Sequence, residues 1–241
     1  MRPSAVVWLV RDTCRLVDNP ALIAAAAQAK QSQSLLIPLV CLEPRRWADQ
    51  QYGLPRIGSH WSRFRVDALY EMKTELEALG STLWIAAEEP DRAMALVSER
   101  VRVISIFTDL PLATEERLEN AKLESEGYVL EVIETNDLYR AAQLPFELDA
   151  LPKSFTQFRK SVEKPPLLQP PDPVPQPTLP PLFEQPWILP SEWLELVEAR
   201  TQGEESEMAG GRMLVLAQWH AYLEARALSH YKDTRNAFEG E

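Results

Sequence analysis

An α/β fold, a doubly wound sheet of five parallel strands, is what the sequence predicts for residues 1–135, on two observations. Short runs rich in β-branched residues alternate with stretches of helical period. Each run is nearly continuous in apolar residues and bounded by turn residues, as befits strands buried on both faces. Strands separated by helices in this way are joined by right-handed crossovers, which gives a Rossmann-like parallel sheet.

The strands are expected at residues 6–10, 35–42, 83–87, 101–107 and 128–133. The first helix starts from Asp18-Asn19-Pro20, a capping side chain ahead of a proline in the first turn, and continues through residues 21–29. The longest helix covers residues 59–79, where Trp61, Phe64, Ala68, Leu69, Met72, Leu76 and Leu79 recur three and four apart and Gly80 supplies the stop. Residues 91–100 form the next. Residues 114–126 form the last, opening on Thr114-Glu115-Glu116-Arg117 as an N-cap followed by acidic residues that suit a helix N-terminus.

After Thr135 the pattern changes, so the chain is divided into an α/β domain at 1–135, a linker at 136–190 and a helical portion at 191–241. Residues 136–164 are amphipathic and contain Phe146, Leu148, Leu151, Phe155 and Phe158, which are expected to be buried. Residues 165–190 carry eleven of the twenty prolines and are expected to run as an extended linker pinned by Leu167, Leu168, Leu179, Leu182, Phe183 and Trp187. Residues 191–207 are acidic and begin on a Ser191 cap. Gly210-Gly211 then precedes a last amphipathic helix whose apolar side is Met213, Leu216, Ala217, Trp219, Tyr222 and Leu223.

Composition excludes several classes. No apolar run approaches the ~20 residues that span a bilayer, and residues 1–10 are too short for a secretory leader and read as a first strand, so a cytoplasmic protein is expected. Cys14 and Cys41 are far apart and lack metal-ligand spacing, which leaves them as small apolar residues near strands. A net charge of −11 argues against general DNA binding, because phosphate contacts need clustered Lys and Arg. Local basic spots at Arg56, Arg63 and Arg65, or at Arg159 and Lys160, are explained about as well by solvated helix faces.

Motifs that carry chemistry are scarce. None of Gly53, Gly58, Gly80 and Gly127 belongs to a GxGxxG or phosphate-loop pattern, which disfavours dinucleotide and nucleotide-hydrolysing enzymes. His60, His220 and His230 lack metal-ligand spacing and read as helix-surface or packing residues. No carboxylate pair is isolated in an apolar pocket as acid–base work requires, and Ser59-His60 lacks a nucleophile-elbow context. By residue chemistry alone the first 135 residues form an α/β domain that binds something at its strand ends.

Five stretches carry a resemblance. They are WLVRDTCRLVDNPAL at 8–22, LVCLEPRR at 39–46 with LPRIG at 54–58, LPF at 144–146 with FTQFRK at 155–160, Gly210-Gly211, and YKDTRN at 231–236. In this order and at these distances they resemble the front half of the DNA photolyase/cryptochrome family, DASH type, with one extra residue in the turn around Thr13 and Cys14. The resemblance implies an N-terminal antenna domain, an interdomain linker and the opening of a helical flavin-binding domain. For a complete protein it further implies FAD-dependent, blue-light-driven splitting of pyrimidine dimers in damaged single-stranded DNA, or light signalling.

The resemblance also assigns residues. Tyr231 matches the flavin-facing tyrosine, and Arg235 the arginine on the DNA-facing side. For a methenyltetrahydrofolate antenna, Pro111 falls near the position of a family Glu; Asp109 is the substitute, and Gln50 and Gln51 stand in the other antenna loop with amides able to bond a pterin edge. The implied partner is a C-terminal helical flavin domain. Without it this chain is expected to act as scaffold and antenna, with no catalysis and with impaired folate binding. The rival expectation is a stand-alone interaction protein of the same α/β fold without flavin chemistry.

Overall fold

The computed structural model describes residues 2–47, 50–51, 53–163, 173, 210–226 and 229. Five parallel strands form one sheet: β1 (Ser4–Val10), β2 (Leu35–Cys41), β5 (Trp84–Ala86), β6 (Arg102–Asp109) and β7 (Leu130–Ile133). Its spatial order is β5-β2-β1-β6-β7, so the first strand is central and the chain winds outward in both directions from it. Each expected strand is present, with ends that differ by at most two residues.

Alternation within the strands builds two cores. Val6, Trp8 and Val10 of β1 face one layer, made by α1 (Pro20–Gln31) and α3 (Ser59–Ala78), whose Ala21, Leu22, Ala25, Leu69, Met72 and Leu76 are buried. The alanines of α1 let its backbone lie close to the sheet. Ala5, Val7 and Leu9 face the opposite layer, made by α4 (Pro90–Arg100) and α5 (Thr114–Ser125), with Met94, Val97 and Leu123 buried. At roughly 1.5–3 kcal/mol for each large side chain removed from water, these two layers are the main stabilising contribution.

The helix signals act as their chemistry demands. The Asn19 side chain accepts the backbone N–H of Leu22 at 3.0 Å and so caps α1. Gly80, at φ 79°, follows the end of α3 in the left-handed region that glycine adopts without strain. At α5 the expectation is corrected: Ala113 holds the capping position and Thr114 is the first helical residue, with no side-chain cap. Glu115 and Glu116 are still in the first turn, where the helix dipole favours them.

Three further departures from the sequence reading matter below. A short helix, α2 (Pro44–Trp47), and a two-stranded hairpin, β3 (Gln50–Gln51) with β4 (Leu54–Pro55), follow β2 and had no periodic signal because they are too short to show one. The apolar residues of 136–163 are not buried as expected: Leu148, Leu151 and Phe155 are exposed, and only Phe146 and Phe158 meet, ring edge to face at 5.8 Å. Leu148 lies on a single-turn 3-10 helix (Leu148–Ala150) and Phe155 and Phe158 on α6 (Phe155–Val162), elements too short to bury a full face, while Phe146 and Leu151 lie in the connections.

The last described helix, α7 (Arg212–Glu224), has none of its residues buried, so the expected apolar side is not a packed one; Met213, Leu214, Val215, Trp219 and Leu223 are exposed around it. Gly210-Gly211 brings its start against α3. A Cβ at Gly210 would stand 2.0 Å from the carbonyl oxygen of Phe64, and Gly211 has φ 110°. The proline-rich segment 165–190, Pro173 apart, the acidic stretch 191–207, Tyr231 and Arg235 lie outside the described residues.

Candidate ligand crevice at the strand ends

In an open α/β sheet the ligand position is the crevice beyond the carboxyl ends of the strands, where the winding direction reverses. Here that place lies between β1 and β6. The loop after β1 supplies Arg11 to Arg15, the segment after β2 supplies Glu43 to Arg46, β6 ends on Thr108 and Asp109, and the loop after β7 supplies Thr135 and Asn136.

Arg11 turns back over the strand ends. Its Nε donates to Thr108 Oγ1 at 3.3 Å, Nη1 to Glu119 Oε2 at 2.5 Å and Nη2 to Asn120 Oδ1 at 2.7 Å. Its side chain is 9 % exposed and that of Glu119 is 8 % exposed. Glu119 is shared: Arg45 Nη2 donates to its other oxygen, and Arg46 Nη2 lies 3.6 Å from that same atom. Arg45 also pairs with Glu89 at 3.0 Å, Arg46 with Glu116 at 3.0 Å, and Arg56 with Glu115 at 2.7 and 2.9 Å. The strap formed by α2 and the hairpin is thus fastened to the first turns of α5 by arginine–glutamate pairs.

Burial and charge set the protonation chemistry. Desolvation pushes the Glu43 carboxyl up, against the pull of Arg46, which lies 3.6 Å away. Desolvation opposes the charge on Arg46, but Glu43, Glu119 and Glu116 together outweigh it and hold that guanidinium charged. Glu115 is pulled below the usual carboxylate range by the hydrogen bond from Arg56. Cys14 is pushed up by burial, although Arg65 Nη1 lies 2.9 Å from its sulfur. Cys41 is buried and pushed well up, again by desolvation first. Burial thus disfavours the nucleophilic thiolate at both positions.

Beside this network a small open cleft is lined by Asp12, Glu43, Arg46, Trp61, Arg65 and Glu116 among others. Asp109 is not in it. Its carboxylate is 3 % exposed, with Oδ2 3.4 Å from the backbone N–H of Thr13 and Oδ1 without a hydrogen-bond partner. Thr13 Oγ1 donates to Asn136 at 2.7 Å and lies 3.3 Å from Thr135 Oγ1, closing the loop over it.

A pterin edge would need an exposed acceptor. The orphan oxygen of Asp109 has the right chemistry but lies under its own loops, so this residue as placed does not fit the folate group. Gln50 and Gln51 are on β3, and Tyr231 and Arg235 fall outside the described residues. Sequence reasoning passed over Arg11, Arg45, Arg46 and Glu119. The available signal was the pairing of Arg45-Arg46 with Glu115, Glu116 and Glu119 on one face of a helix, but nothing in the sequence says that residues 11 and 119 are neighbours.

Among the described residues no group of histidine, cysteine and carboxylate side chains could hold a metal ion, and no helix is long and apolar enough to cross a membrane.

A doubly wound domain with its crevice at the first strand is a ligand-site architecture shared by many proteins. Comparison narrows it: the DNA photolyase family model matches residues 5–178, and the chain belongs to that family. It is 32 % identical to a cryptochrome DASH of Idiomarina loihiensis over 97 % of this chain and 50 % of that protein. A cryptochrome DASH of Natronomonas pharaonis is 29 % identical over 98 % of this chain and 50 % of its own length. The chain therefore spans about half the length of these relatives.

Among solved structures, a Synechocystis cryptochrome superposes with a TM-score of 0.79 over 98 % of this chain and 50 % of its own, at 22 % identity. An archaeal photolyase from Sulfolobus tokodaii, described with two FAD molecules, superposes with 0.63 over 88 % of this chain and 45 % of its own, at 20 % identity. The fold is that of the N-terminal α/β domain of photolyases and cryptochromes, a family whose members generally bind FAD.

Proposed function

We propose that these 241 residues are the α/β scaffold of a DASH-type photolyase/cryptochrome flavoprotein, divided into an antenna-type domain at 1–135, a linker at 136–190 and the start of a helical flavin domain at 191–241. The observation that carries this reading is the match to cryptochrome DASH relatives along 97–98 % of the chain but only half of theirs. In the assembled flavoprotein, Tyr231 would face the flavin and Arg235 damaged single-stranded DNA, by family resemblance. The exposed apolar surface of α7 supports the same reading, since a helix apolar all round is built for burial, here against further helices.

Chromophore chemistry is assigned to the half of the flavin site that these residues do not supply. A site of this kind buries most of its ligand within a largely preformed cavity, and one wall does not retain it. The test is to purify the 241-residue chain, add FAD and record flavin absorbance and fluorescence, then blue-light repair of a dimer-containing oligonucleotide. Neither retention nor repair is expected. Stoichiometric flavin with light-dependent repair would overturn the scaffold reading.

A further inference from the structure

We propose that the crevice between β1 and β6 is a self-occupied binding site for a planar cation, in which the guanidinium of Arg11 takes the position of the ligand. All three guanidinium nitrogens are held, by Thr108, Glu119 and Asn120, from two different elements. Thr108 is oriented for this by donating its own hydroxyl proton to the carbonyl of Leu9 at 3.1 Å. Arg45 and Arg46, from α2, converge on the second oxygen of Glu119.

Stability alone does not call for such an arrangement. A buried ion pair is often no better than apolar side chains of the same volume, because desolvation of the charges offsets their attraction. A carboxylate, an amide oxygen and a hydroxyl set around one flat cation form instead a recognition constellation, with acceptors spaced for a guanidinium fork. The cation is tethered to β1, so in the native chain the site is filled by a residue of the same polypeptide and shut to exogenous ligands of that shape. The proposal stands on these contacts and not on the family reading.

Truncation at Arg11 should convert the tethered occupant into a vacancy that a free guanidinium ion fills. Thermal unfolding of the full chain and of Arg11→Ala is followed in guanidinium chloride at tens of millimolar, with ammonium chloride at equal ionic strength as control. Arg11→Ala should melt about 10 °C lower than the parent chain. Guanidinium should recover most of that loss in a saturable manner, ammonium should not, and the parent chain should gain nothing. Adding Glu119→Gln to Arg11→Ala should abolish the recovery.

If Arg11→Ala does not fold alone, its soluble yield on refolding in guanidinium against ammonium becomes the readout. Equal responses to the two salts, equal stabilisation of the parent chain, or failure to fold in both salts would each overturn the proposal.

Discussion

Glu71 on α3 accepts the backbone N–H of Met213 on α7 at 2.8 Å, a bond between residues 142 positions apart that caps one helix with the side chain of another. Asp67, one turn earlier on α3, accepts the N–H of Gly210 at 3.1 Å, and Glu75, one turn later, lies 3.9 Å from Arg212. The acidic edge of α3 thereby supplies the acceptors and negative charge that the start of α7 lacks of its own.

Gly210→Ala tests this docking. Its Cβ would meet the Phe64 carbonyl at 2.0 Å, a contact with backbone that cannot rotate away. We expect α7 to lift from α3 at a penalty of about 1–3 kcal/mol while the α/β domain stays folded. Hydrogen exchange should rise across residues 212–224 and stay unchanged in β1 and β2; unchanged exchange in α7 would contradict the placement.

Glu119→Gln should be the most damaging single change in the charged network. It removes the counter-charge of buried Arg11 and loosens Arg45 at once. Breaking one member of a buried pair costs about 3–5 kcal/mol, and urea unfolding should read a loss in that range. A loss no larger than that of an exposed pair, about 1 kcal/mol or less, would count against the network.

Acid titration should separate two glutamates, Glu43 beside the strap and Glu115 on the helix that the strap is fastened to. The Glu43 carboxyl is raised in the folded state by burial, so the folded state holds its proton longer, and stability present below the unfolded pKa is lost as pH rises through the raised value. Glu115, lowered by Arg56, behaves oppositely: its contribution is present above the unfolded pKa and lost as pH falls through the lowered value. Unfolding curves measured between about pH 3 and 7 should lose the first slope in Glu43→Gln and the second in Glu115→Gln. Identical slopes in all three proteins would refute both assignments.

Both thiols should resist alkylation in the native state, Cys41 more than Cys14, because burial raises each and only Cys14 is partly exposed. Mass spectrometry after a short iodoacetamide pulse should find Cys14 modified first and Cys41 only after unfolding. Early labelling of Cys41 would show that β2 is less protected than its burial indicates.

The strands and long helices were legible because each carries a period repeated over several turns or a run of apolar residues, as in Met72 and Leu76 of α3 or Val6 to Val10 of β1. The strap was not, since α2 has four residues and β3 and β4 two each, too few for periodicity. Of the candidate site, Asp109 could be placed at a strand end but not inward, because the direction of its side chain depends on the loops that fold over it. Arg11 was readable only as part of a turn. Its role comes from Glu119 and Asn120, more than a hundred residues on, and only the sheet order makes them neighbours.

That sheet order also governs how the chain must be made. The central strand is the first to be synthesised, and it pairs with residues 35–40 on one side but with residues 102–108 on the other. At ribosomal rates of about 5–20 residues per second, roughly 5–20 s separate Ser4 from its partner Arg102. Throughout that interval a strand reading SAVVWLV, with no charge and no proline, presents an open edge of the kind that templates aggregation. Slowing translation between β2 and β6 should therefore lower soluble yield, and a chaperone that shields nascent apolar strands should restore it.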